Sequence, residues 1–139
     1  MASEGQLTGM RGVYLVAAEL SRLGLIASPT SRSAIGADIL VTDHLCSHSF
    51  SVQVKTNAKT FGFWLVGKNY KEMVSPTHIY VLVNIRKKKD LENIEFYVIP
   101  SVVVAEKTRY GKAKSGSEWY SFSLEDAKPF KDNWNVFLI

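Results

Sequence analysis

Three polar side chains stand in two otherwise apolar runs. Gly36-Ala37-Asp38-Ile39-Leu40-Val41 carries an aspartate, and Ser51-Val52-Gln53-Val54-Lys55-Thr56 carries a glutamine and a lysine one residue apart. In the second run Phe50, Val52 and Val54 alternate with Ser49, Ser51, Gln53 and Lys55, the period-2 pattern of a half-buried strand. In the first, Ile39 and Val41 take one face and leave Asp38 on the other with Leu40 and Thr42. Hydrolysis of a phosphodiester with a metal's help needs hard oxygen donors for a divalent cation, which lowers the pKa of a bound water. It also needs a cation near the attacked phosphate, to steady the charge that develops. An acid on one strand and an acid-x-Lys on the next meets both needs, because period-2 geometry points all three groups into one pocket. Here the set is Asp38 with Gln53-Val54-Lys55. The same alternation also describes the wet face of an ordinary amphipathic hairpin, and periodicity does not separate the two.

Other candidates for chemistry are weaker. His44-Leu45-Cys46-Ser47-His48 has soft-metal ligand types, but they lie too close together for structural zinc, and no second ligand pair follows. Gly62 and Gly67 lack the Gly-Lys-Ser/Thr of a phosphate loop, and no serine sits in a nucleophile-elbow context. Trp64, Trp119 and Trp134 alternate with apolar neighbours and read as core. The run Arg86-Lys87-Lys88-Lys89 reads as part of a solvated hairpin loop extending to Asn93.

Several elements must hold the hairpin. Leu7 to Gly24 reads as a helix with Thr8 as N-cap and Gly24 as its stop. Its apolar face runs through Met10, Val13, Tyr14, Val16, Ala17, Leu20 and Leu23. A short strand from Leu25 to Ser28 follows, then a polar loop from Thr30 to Ile35. Strands are predicted over Phe61–Val66, His78–Ile85 and Ile94–Ile99, with a short helical or irregular piece over Lys68–Val74. Pro100-Ser101 opens a helix towards Tyr110 with Ser101 as its cap, and Tyr110 to Ser117 is expected to be flexible. Ser123 to Asp126 starts another helix, kept brief by Pro129, and an apolar tail closes the chain. This order fits a mixed α/β domain, one mixed sheet with helices against it.

Composition sets the frame. At 139 residues, 46% hydrophobic and 22% charged, the sequence predicts one globular domain over 1–139 and excludes wholesale disorder. A net charge of +4, from 17 basic and 13 acidic residues, is compatible with a polyanionic partner without demonstrating one. The single cysteine, Cys46, cannot form an internal disulfide and points to a reducing compartment. No charged leader precedes an apolar block, and no apolar run approaches the ~20 residues of a membrane span. A cytoplasmic location is therefore expected.

Gly-Ala-Asp-Ile-Leu-Val, a turn and Ser-Val-Gln-Val-Lys-Thr, preceded by an apolar helix ending in Leu23-Gly24, resemble the PD-(D/E)XK nuclease superfamily. The likeness is to its small prokaryotic members, the archaeal Holliday junction resolvases and uncharacterised resolvase-like proteins. It implies the restriction-endonuclease-like fold, with the shared α-β-β-β core over about Leu7 to Thr56. The Phe-Trp-Leu-Val and Tyr-Val-Ile-Pro segments further on resemble the uncharacterised group. The resemblance assigns Asp38 and Gln53 to a magnesium or manganese ion, the Gln53 carbonyl replacing the usual carboxylate. It assigns Lys55 to the phosphate and the attacking water, and it implies a nuclease acting on DNA, including branched or structured DNA. Homodimerisation is usual among the resolvase-like relatives. One departure bears on activity. Many of these proteins carry a glutamate on the first helix, about eleven residues before its closing glycine, and here that position is Val13. Glu19 lies about 120° further round the helix and does not replace it. The alternative is a binding or scaffold module on the same fold that has lost catalysis.

Overall fold

Ser3, not Thr8, starts the first helix. Its hydroxyl accepts from the Gln6 N–H at 3.1 Å, and Gln6 Oε1 accepts from the Ser3 N–H at 2.9 Å, a reciprocal cap. Helix α1 (Glu4–Arg22) therefore begins three residues earlier than the apolar periodicity suggests, and it draws Glu4 into its first turn. It stops at Leu23, with Gly24 beyond it at φ +85°, a conformation that glycine adopts without strain. The computed structural model describes residues 1–31 and 36–138; most of the loop expected from Thr30 to Ile35 lies outside the described residues.

The strands that follow are β1 (Ile26–Pro29), β2 (Ile39–Thr42), β3 (Ser49–Asn57), β4 (Phe63–Leu65), β5 (His78–Lys88) and β6 (Leu91–Pro100). Then come α2 (Ser101–Lys107), β7 (Arg109–Lys112), β8 (Glu118–Ser123) and α3 (Leu124–Ala127), and two 3₁₀-helices, Lys128–Phe130 and Trp134–Phe137. The main sheet runs β1-β2-β3-β5-β6, with β3 and β5 parallel and the other pairs antiparallel. The mixed α/β class with a mixed central sheet is borne out. A second antiparallel sheet, β4-β8-β7, was not expected. The segment read as flexible forms its β7–β8 hairpin, where Trp119 lies across Gly111; a Cβ there would come within 2.3 Å of the indole.

Alternation decides which layer each residue joins. On one face of the main sheet Ile39, Val41, Phe50, Val52 and Val54 meet Val16 and Leu20 of α1. On the other, Tyr80, Leu82, Tyr97 and Ile99 meet Trp64, Phe122 and Val104. Strand β5 is buried from His78 to Ile85 on both faces, as an interior strand of a covered sheet must be. Met10 and Tyr14, expected in the apolar face of α1, are 41% and 59% exposed. Trp64 and Trp134 are core as predicted, whereas Trp119 is 42% exposed.

Two more expectations change. The basic run is not a loop: β5 extends to Lys88 and pairs with β6 up to Lys88↔Leu91, leaving a two-residue turn. Ser101 does not cap α2; its hydroxyl donates to the Ser75 carbonyl at 2.9 Å and accepts the Ser75 N–H at 3.0 Å, tying the β4–β5 connection to the helix. Among the described residues no helix is long and apolar enough to cross a membrane.

Candidate functional site

Asp38 sits where the β2–β3 ladder gives way. Ile39 faces Val52 in the register, and the Asp38 N–H also bonds the Val52 carbonyl, at 2.8 Å. Two consecutive residues thus address one residue of the facing strand, the arrangement of a β-bulge, which re-aims a side chain. Asp38 Oδ2 accepts the N–H of Val54 at 2.8 Å, standing in for the backbone partner that the ladder no longer supplies. The carboxylate enters a depression of about 330 Å³ between α1 and β1, shared with Gln6, Gly9, Val13, Thr30 and Val54.

Lys55 opens elsewhere. It lines a cleft of about 560 Å³ with Glu4 and Thr8 of α1, Lys59, Phe61 and Phe63. Gln53 and Lys55 pair with Tyr80 and Leu82 in the parallel ladder and share their face, opposite Val52 and Val54. Both side chains are half-buried, and among the described residues neither makes a hydrogen bond or an ion pair. Asp38 and Val13 line one depression and Lys55 and Glu4 the other, and β3 contributes to both, through Val54 and Lys55. The bulge takes Asp38 out of the strict alternation of β2 and sets it against the Val54 backbone, between Gln53 and Lys55.

Glu4 is the residue that sequence reasoning missed. Its Oε1 lies 3.5 Å from Lys59 Nζ, and it is the one acid lining the Lys55 cleft. The signal was present as Ser3-Glu4-Gly5-Gln6, a Ser-x-x-Gln capping box ahead of the apolar run. Asp43, the next acid along the chain, is occupied in the hairpin turn. It accepts the N–H groups of Ser47 and His48 at 2.7 and 3.0 Å, and the Ser47 hydroxyl holds its carboxyl well below the usual range. Five residues of extended chain, roughly 17 Å, separate it from Asp38.

The donors suit a hard cation better than a soft one, being oxygens throughout. Among the described residues no three His, Cys, Asp or Glu side chains converge on an ion position, and the His44, Cys46 and His48 turn makes none. Asp38 brings one carboxylate, with an oxygen already engaged by Val54, and Gln53 brings a neutral carbonyl. Such a set fits magnesium only as an ion that keeps most of its waters and takes phosphate oxygens from a substrate, with Asp38 and Gln53 as the protein's ligands.

No protein-family model matches this sequence, and no curated protein matches it significantly. Solved structures do. The Holliday junction resolvase Hjc from Archaeoglobus fulgidus is similar over 87% of this chain and 93% of its own, with a TM-score of 0.52 and 10% identity. The bacterial homing endonuclease I-Ssp6803I is similar over 99% of this chain and 93% of its own, with a TM-score of 0.55 and 16% identity. The chain has the restriction-endonuclease-like fold, as its hairpin motif led us to expect.

Proposed function

We propose that this chain is a metal-dependent nuclease-like protein that hydrolyses DNA phosphodiester bonds, with activity weakened by a site that holds a single formal carboxylate. One observation carries the reading. Asp38 bonds the backbone between Gln53 and Lys55 in a restriction-endonuclease-like sheet, and among the described residues neither of those two half-buried side chains has a protein partner. Magnesium or manganese, when bound, supplies positive charge at the phosphate and a more acidic water. The chain's own part is to place oxygens from Asp38 and Gln53 at the ion and to set the Lys55 ammonium against the charge that grows on the phosphate. Water oxygen then forms the new P–O bond, and the leaving sugar oxygen departs and takes a proton.

Supercoiled, linear and junction DNA incubated with Mg²⁺ or Mn²⁺ tests this. Slow cleavage is expected, reduced about 10²–10³-fold in Lys55→Ala by analogy with removal of a charge-stabilising donor. Cleavage undiminished in that variant would sink the assignment. A second reading rests on Val13, an apolar side chain in the depression that Asp38 lines, at the helix position where the resemblance to resolvase-like nucleases implies an acid. It predicts no cleavage, with salt-sensitive nucleic-acid binding that survives Asp38→Ala.

A further inference from the structure

The larger cleft carries a feature that phosphodiester hydrolysis does not require. Phe61 and Phe63 are 54% and 39% exposed, and their rings stack at 5.4 Å between centroids with planes 29° apart. Exposed phenylalanines on a loose loop would be unremarkable, but this segment is pinned. Asn57 Nδ2 donates to the carbonyls of Phe61 and Phe63 at 2.7 and 3.3 Å, and Asn57 Oδ1 accepts the Lys59 N–H at 3.0 Å. Arg86 donates to the carbonyls of Lys59 and Phe61, and the Leu124 N–H donates to that of Gly62 at 2.8 Å. Backbone that is held on every side while its aromatic rings are left open is preorganised to receive a flat apolar group.

Charge says what that group belongs to. Lys55 and Lys59 line the same cleft, against one acid, Glu4, which is paired with Lys59. Cations interleaved with exposed rings suit a nucleic-acid strand, phosphates to the ammonium groups and a base to the ring. A base inside a duplex has both faces covered by its neighbours, so the base that stacks must be unpaired.

We propose that Phe61 and Phe63 form a stacking platform for an unpaired nucleobase whose phosphate lies at Lys55. The inference rests on the nucleic-acid reading given above and deepens it. It makes the preferred substrate a strand that is single-stranded, frayed or branched beside the bond at issue. Fluorescence anisotropy with a labelled duplex and with the same duplex interrupted by a short unpaired stretch tests the platform. The wild-type chain should favour the interrupted DNA by about tenfold, in keeping with the strength of base–aromatic stacking. Phe61→Ala/Phe63→Ala should bring the two substrates within about twofold while duplex binding persists. Phe61→Leu and Phe63→Leu, which keep apolar bulk without a ring, should lose the preference too and guard against a folding defect in the double variant. 2-Aminopurine placed in the unpaired stretch should be quenched by wild type and not by these variants. Preference kept in the ring-less variants overturns the platform and leaves the nuclease reading standing. A wild-type chain that binds neither DNA at low salt overturns both.

Discussion

Val13 is the residue on which the strength of the site turns. It lines the depression that Asp38 enters, and it is partly buried against the α1 face of the core. If the proposed ion sits at Asp38, a carboxylate added there would bring it a second negative charge from the helix side. Val13→Glu should therefore tighten the magnesium dependence of cleavage by at least about tenfold, at a stability cost of about 1 kcal/mol for putting a polar group in a partly buried place. Val13→Gln separates charge from shape: it should carry the same stability cost and little of the gain. Magnesium titrations of cleavage rate on wild type and both variants decide the matter, and an unchanged midpoint in Val13→Glu would show that the ion does not sit beside Asp38.

Helix α1 positions the site by coming unusually close to β3. At Gly12 an added Cβ would fall 1.7 Å from Thr56 Oγ1 and 2.9 Å from Thr56 Cβ, so the helix and strand touch through a missing side chain. Thr56 is β-branched and cannot swing aside without leaving its rotamer. Gly12→Ala should cost about 1–3 kcal/mol despite the better helix propensity of alanine, and a urea midpoint that rises instead would show that the contact is loose. The sequence made this helix, the hairpin, β5 and β6 legible, because each writes a clear 3.6 or 2.0 period. It made Asp38, Gln53 and Lys55 legible by residue type. The turn of Asp38 onto the Val54 N–H was not, since a bulge adds one residue of backbone and leaves no trace in the alternation of Asp38-Ile39-Leu40-Val41. Glu4 was lost for a different reason: the apolar stripe begins well inside α1, and only the Ser3–Gln6 cap marks the true start. The second sheet was hidden because Tyr110-Gly111-Lys112 has turn-like composition, and only the Trp119 ring lying across Gly111 explains why it is extended.

For the whole molecule, the two layers meet on β5, and a titratable group is sealed at its start. His78 is 6% exposed, with Nδ1 at 2.6 Å from Ser51 Oγ, its ring edge-on to Tyr80, and Nε2 buried without a partner among the described residues. Burial pushes the imidazole below its ordinary value, against a smaller upward pull from Ser51. The folded state thus binds the proton more weakly than the unfolded chain does. Stability from neutral His78 is complete above about pH 6.5, the unfolded value, and is lost as pH falls through that point towards the lower folded one. One proton gives a slope of at most about 1.4 kcal/mol per pH unit. His44 and His48 stand exposed in the β2–β3 turn, outside the core, and the nearest hydrogen-bonding group facing His78 from β3 is the neutral Ser51. Urea denaturation followed from about pH 7.5 down to about pH 5 should show stability declining below neutrality in wild type. His78→Phe keeps a ring of similar size in the layer and removes the titration. It should be less stable at neutral pH, where it forfeits the Ser51 hydrogen bond, yet nearly flat across the same range. Parallel slopes in the two proteins would place the acid sensitivity elsewhere. Because β3 and β5 are parallel neighbours with Ser51 opposite His78 in the ladder, opening at this end would loosen the strand that carries Gln53 and Lys55. Any cleavage activity should therefore fall along with stability in wild type as the solution is acidified, and fall less steeply in His78→Phe.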